Sequence, residues 1–177
     1  MLGCLQETYI MAILEIQTYP ESVLKEKALP VTKITEDIQR LIDDMAATMY
    51  NAPGIGLAAN QVGALQRVII FDITPKNEGR KLNVLINPEI IAAEGTQVYQ
   101  EACLSVLDYA ADVRRKARVL ATGLDRNGKE VRIEAEDLLA VVLQHEIDHL
   151  DGILFIDRIS RLKRNLYKRQ LQKKLKK

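Results

Sequence analysis

His145-Glu146-Ile147-Asp148-His149 is the stretch on which the reading of this chain turns. It continues an apolar run, Leu138-Leu139-Ala140-Val141-Val142-Leu143-Gln144, which suits a helix that opens at Glu136 or Asp137 and closes near Gly152. Residues four apart share one face of a helix, so His145 and His149 can offer ring nitrogens to one metal ion. Glu146 falls beside that face without joining it. A general base that takes a proton from a metal-polarised water is needed in that position. These are the only two histidines in the chain. The spacing predicts a metal-binding helix.

The third ligand is constrained mainly by exclusion. A metzincin would place a ligand six residues beyond His149; its glycine is matched by Gly152, but the ligand position holds Phe155. A thermolysin-like site would take a downstream Glu, and no Glu follows Glu146. What remains is an Asp or Glu elsewhere, with Asp151 and Asp157 the late carboxylates, or one of two cysteines. Asp157 falls in an exit loop or strand, so cysteine is the better match, and a site of two histidines and one cysteine leaves a fourth position open for water.

At 177 residues the chain has the size of one domain with a real core. Its 47% hydrophobic and 28% charged content, with a formal net charge of +1, is that of an ordinary globular enzyme. Two cysteines do not make a disulfide framework, and a reducing compartment, the cytoplasm, is expected. The longest apolar run is too short to span a bilayer. The first basic residue is Lys25, which argues against a basic secretory leader, and no hydrophobic segment precedes Leu2-Gly3-Cys4. No special role is expected for Cys4.

Residues 1–10 read as an extension and 11–177 as a single catalytic domain. Met11 to Ile16 alternates as a short strand would. Tyr19-Pro20-Glu21 begins a turn, and Leu29-Pro30-Val31 is extended. From Thr35, a plausible N-cap, Ile38, Leu41, Ile42, Met45 and Met49 recur at helical spacing as a core face, and Asn51-Ala52-Pro53-Gly54 ends the helix. Gly54-Ile55-Gly56-Leu57-Ala58-Ala59-Asn60-Gln61 lacks the strand-before, helix-after context of a dinucleotide site. Its glycines let a backbone approach a ligand or another strand. Gln61 is either a surface residue or an amide aimed at a reacting carbonyl. Arg67 to Ile73 is a strand, Leu82 to Ile86 and Ile90 to Ala93 are short strands around Asn87-Pro88, and Gln97 to Leu104 is extended. Ala117 to Leu124 and Val131 to Ala135 form a hairpin about Asn127-Gly128. A basic helix begins near Ser160. Short strands before one central helix indicate an α+β fold: antiparallel strands around the metal helix, with an N-terminal and a basic C-terminal helix.

Three separated blocks, Gly54 to Gln61, Glu101-Ala102-Cys103-Leu104-Ser105 and His145 to His149, resemble in order and spacing the signature motifs of peptide deformylases. Met11-Ala12-Ile13-Leu14, Pro30-Val31 and Leu154-Phe155 resemble that family too, so the likeness covers about residues 11 to 165. It implies an enzyme that removes the formyl group from the N-terminal formyl-methionine of new polypeptides and releases formate. Cys103, His145 and His149 would hold one divalent metal, Fe(II) in cells, with Zn, Ni or Co able to occupy such a site. Glu146 would move the protons, and the Gln61 amide and Leu104 backbone N–H would stabilise the oxyanion. Gly54, Ile55, Gly56, Leu138, Val141 and Val142 would line the substrate site, the last three from the helix face that carries His145. Glu101 would pair with Arg115 behind the metal, and Asp148 would support the ligands from outside.

The chain departs from the family pattern at Ala102, Leu107 and Ala110, where glycine, proline and often arginine stand. None of these is a metal ligand. Residues 158 to 177 hold ten Lys or Arg and no acid, which leaves the remainder with 15 basic and 24 acidic residues, a net −9. Leu162, Leu166, Leu171 and Leu175 form an approximate apolar stripe by which this helix is expected to dock. The resemblance implies the ribosome, near the exit tunnel, as partner of the basic helix at 161–177; neither a membrane nor direct DNA contact is expected.

Overall fold

A computed structural model describes residues 11–175; the extension at 1–10, with Cys4, lies outside the described residues. The fold is α+β, with two antiparallel sheets and three α-helices. The first helix, α1 (Glu36–Asn51), starts after Thr35. Strands β1 (Gly56–Ala58), β2 (Val68–Phe71), β3 (Asn83–Glu94), β6 (Arg118–Leu124) and β7 (Glu130–Glu136) make one sheet in that order. Strands β4 (Gln97–Cys103) and β5 (Val106–Arg115) make a second. The helix α2 (Asp137–Leu150) follows β7 directly, and α3 (Arg161–Leu175) closes the chain.

The five-stranded sheet is covered on both faces where β2 runs, which is why β2 reads as the unbroken apolar run Val68-Ile69-Ile70-Phe71. Ile69 and Phe71 pack with Ala140, Val142, Leu143, Ile147 and Leu150 of α2. Val68 and Ile70 pack with Ile38, Ile42, Met45 and Met49 of α1. The helix α2 lies between this sheet and the smaller one, and every residue from Ala140 to Leu150 is buried. Burial of apolar side chains on this scale, at about 25 cal/mol per Å², offsets the cost of enclosing the polar residues at its centre. Gly152 closes the helix at φ +72°, where a Cβ would run into the backbone of Lys25. No helix of the described residues is long and apolar enough to cross a membrane.

Three expectations are corrected, and one strand was not foreseen. Residues 11–16 form no strand; the segment is tied to α1 by Ala12 N–H donating to Asp44 and Leu14 N–H to Thr48 Oγ1 (2.8 Å). Its alternation fits one side of a helix, with no strand beside it. The two short strands around Asn87-Pro88 are one strand, β3, with a register shift between Ile86 and Glu89. Asn87 adopts φ +51° and exchanges two 2.8 Å hydrogen bonds with the backbone of Val31, so the bulge that accommodates the proline also pins the Pro30-Val31 segment. The strand β5 has no counterpart in the sequence reading, because its solvent-facing residues interrupt the apolar pattern. Finally, α3 does not dock by a leucine stripe. Tyr167 (3% exposed) and Leu171 pack inward, Leu162 and Leu166 are exposed, and the side chain of Leu175 lies outside the described residues.

Candidate functional site

The buried helix α2 carries His145 and His149 one turn apart on the face toward β4, which ends at Cys103. The Nε2 atoms of the two histidines stand 3.3 Å apart, and Cys103 Sγ lies 3.2 Å from His149 Nε2. All three donor atoms fall within 4.8 Å of one another. Tetrahedral ligands with bonds of about 2.0–2.3 Å are spaced roughly 3.3–3.6 Å apart, so the donors already sit near the edges of such a polyhedron. His145 Nδ1 donates to Glu101 Oε2 at 2.7 Å, which turns Nε2 toward the cluster. Burial lowers the pKa of His149 well below the imidazole range, with the charges of His145 and Arg115 acting in the same sense, so its ring is neutral as a ligand requires. For His145, burial acts downward but Cys103 and Glu101 outweigh it and raise the pKa well above that range. The negative field that holds a proton there would equally favour a metal cation. The residues present fit a divalent metal.

Behind His145 lies an ion-pair chain. Arg115 donates from Nε and Nη2 to Glu101 (2.6 and 2.9 Å) and from Nη1 to Asp148, which also accepts from Arg158. Glu101 is 4% exposed; burial alone would raise its pKa, but Arg115 and His145 hold it down at about 2. An ionised Glu101 fixes the tautomer of His145.

Glu146 points to the other side of the cluster. It is 5% exposed, and its Oε2 has no hydrogen-bond partner among the described residues. Burial, moderated by His145 and Arg115 and reinforced by Glu101, lifts its pKa to about 7. Gly56 of β1 abuts the carboxylate, and a Cβ there would collide with Oε1. The motif from Gly54 to Gln61 thus carries a glycine because a backbone passes against an acid. It then turns through a 3-10 segment, Ala59–Val62, that buries Asn60 and Gln61. Gln61 Oε1 accepts from Ala58 N–H (2.8 Å), and Nε2 donates to Ser105 Oγ (3.1 Å) at 3.5 Å from Cys103 Sγ. Its amide faces the cluster, not solvent.

These groups border a cavity of about 380 Å³. Its walls include Gly54, Ile55, Gly56, Leu104, Leu138, Val141 and Val142, so the apolar positions singled out in the sequence meet at one pocket. Ala102 also faces it and is exposed, so its methyl narrows the pocket mouth and does not crowd a packed backbone. Leu107 and Ala110 are exposed. Asp151 and Asp157 are placed elsewhere: Asp151 pairs with Arg67, and Asp157 with Lys25 and Arg164.

Three supporting residues escaped the sequence reading. Asn60 donates to the carbonyl of His149, Ser105 is wholly buried and sends its own N–H to Cys103 Sγ (3.4 Å), and Arg158 clamps Asp148. The place of Ser105 two positions after a cysteine ligand was the one available signal.

Comparison with known proteins gives a consistent result. The chain matches the family described as Polypeptide deformylase over residues 13–165. A peptide deformylase of Thermodesulfovibrio yellowstonii is 56% identical over 164 residues, covering 93% of this chain and 99% of that protein. The crystal structure of a Legionella pneumophila peptide deformylase superposes with a TM-score of 0.87 at 42% identity, covering 93% of this chain and 96% of that one. A peptide deformylase from Ehrlichia chaffeensis, solved in complex with actinonin, also gives 0.87, at 37% identity and 93% and 98% coverage.

Proposed function

This chain belongs to the polypeptide deformylase family, and on that premise we propose that it is a metal-dependent hydrolase that releases formate from the formyl-methionine at the start of new polypeptides. The observation that carries the reading is the convergence of Cys103 Sγ, His145 Nε2 and His149 Nε2 beside the unpartnered carboxylate of Glu146, at the edge of an apolar cavity. A divalent cation held by those three donors, Fe(II) in cells and Zn, Ni or Co in a preparation, would act as Lewis acid toward the attacking water and the formyl oxygen.

The remaining work falls to the chain. Ile55, Leu138, Val141 and Val142 take the methionine side chain in the cavity, and Gly54 and Gly56 let the peptide lie close to the backbone. Glu146 accepts the proton of the water as its oxygen bonds to the formyl carbon. The Gln61 amide, turned inward by Ala58 and Ser105, donates with the Leu104 N–H to the oxygen that gains charge. Glu146 then returns the proton to the nitrogen as the C–N bond breaks, leaving formate and a free N-terminal methionine. Glu101, Arg115 and Asp148 hold His145 in the ligating tautomer. A carboxylic acid near pH 7 in affinity suits a group that must both take and give a proton.

The basic helix α3 is assigned on the same proposal to the ribosome near the exit tunnel, where formylated chains emerge. Its support is the run of ten basic residues without an acid from 158 to 177. The enzyme reading is tested by formate release from formyl-Met-Ala-Ser with casein as the control. Release from the tripeptide alone is expected, and Cys103→Ala should lose stoichiometric metal and activity together. Casein cleavage, or full metal retention by Cys103→Ala, would overturn it.

A further inference from the structure

A second cavity, of about 350 Å³, opens on the side of the ion-pair chain away from the candidate metal cluster. Arg114, Arg115, Lys116 and Arg158 all border it, and Asp148 is the one carboxylate among its lining residues. Asp148 is already shared by two of these cations, since both Arg115 and Arg158 donate to it. The other carboxylate of Arg115, Glu101, is bound up with His145. Arg114 and Lys116 have no ion-pair partner among the described residues, whereas Arg118 on β6 reaches Glu94 and Glu136. The cavity therefore carries a surplus of positive charge, with Arg114 and Lys116 exposed at its rim. Its wall is also built and not loose. Gln144 of α2 clasps the backbone of Lys116 with two 3.0 Å hydrogen bonds, one given and one received, and gives another to Ala140 O (2.8 Å). Lys116 leaves the end of β5 from a fixed backbone.

We propose that this cavity binds a small phosphate-type oxyanion, such as inorganic phosphate or pyrophosphate, through Arg114, Lys116 and Arg158. The unpaired Arg114 guanidinium and Lys116 ammonium match tetrahedral oxyanions, for which arginine offers paired donors and lysine a point charge, and Arg158, held on Asp148, adds its charge beside them. A cavity of about 350 Å³ has room for such a free anion. The site touches the candidate metal cluster through one series of contacts: Asp148 to Arg115, Arg115 to Glu101, and Glu101 to His145. It does not depend on the hydrolase reading.

The test is a titration of the zinc-loaded full-length enzyme with inorganic phosphate and then pyrophosphate, followed by amide NMR shifts. Ionic strength is held constant with sodium chloride. Saturable shifts are expected at Thr96, Lys116 and the Gln144 side chain, with affinity at least tenfold weaker in the Arg114→Ala/Lys116→Ala double variant. That variant should retain deformylation of a formyl-tripeptide. A Lys163→Ala/Arg169→Ala variant of α3 should bind phosphate as the wild type does. Undiminished binding by the Arg114/Lys116 variant would put the anion on the metal or on α3 and overturn the proposal. So would equal loss in the α3 variant, binding of an oligonucleotide without binding of phosphate, or no saturable shift.

Discussion

Glu146 is a buried acid whose pKa burial lifts to about 7, and its Oε2 has no hydrogen-bond partner among the described residues. Glu146→Ala should keep the metal and lose at least about 10²-fold in rate, the scale of a general base; metal analysis alongside initial rates checks this. Gly56→Ala should be nearly as damaging, because its methyl would displace the carboxylate. Overpacking of this kind costs about 1–3 kcal/mol, so the variant should fold but lose at least about tenfold in rate. Asp72 shows a different use of a buried acid. Burial acts to raise its pKa, but hydrogen bonds from Thr74, Tyr50 and the Lys81 N–H lower it to about 2. A carboxylate held at about 2 stabilises the fold at pH above its unfolded value of about 4, and loses that contribution as pH falls toward 2. Asp72→Asn should therefore be less stable than wild type at pH 7, with the gap narrowing at pH 3, measured by urea unfolding. At this scale the spacing of the two histidines and Glu146 is legible because chemistry restricts which side chains serve, whereas the choice of Cys103 came from the family resemblance. Asn60 and Ser105 were not, since their partners lie 89 and 44 positions away.

Among the elements, α2 was readable because a helix buried from Ala140 to Leu150 must be apolar around its whole circumference except at the site. By contrast β5 follows the pattern of a strand with one exposed face, and its charged and small residues gave periodicity nothing to count. The proline at 88 suggested a break in β3 because proline removes a ladder donor, but a bulge absorbs that loss within one strand. The candidate metal donors come from β4, a strand of the smaller sheet, and from the helix α2, joined by 46 positions of chain between Cys103 and His149. A bound metal would close that span, and loop closure of this length is worth up to about 4 kcal/mol. Chelation should lower the melting temperature and speed amide exchange more in β4 and β5 than in β6 and β7. Uniform loss of protection across both sheets would count against the donor set.

For the whole molecule, a formal charge of +1 conceals a basic end and an acidic remainder. Removing α3 would be a blunt probe, because Tyr167 packs with Tyr109 and Tyr19 in an apolar cluster that also holds Leu154 and Phe155. Reversing the exposed Lys163, Arg169 and Lys173 to Glu leaves that packing in place. The reversed protein should sediment with ribosomes at least about tenfold less well, and the wild type should be released between low and physiological salt, as counterion release demands. Equal sedimentation of both would leave α3 as a solvated helix. The same division has a consequence at the bench. At neutral pH the protein should adsorb to a cation exchanger by its last twenty residues and to an anion exchanger by the rest. An evenly charged protein of net +1 would wash through both resins, whereas this one is retained according to which end it turns toward the bead.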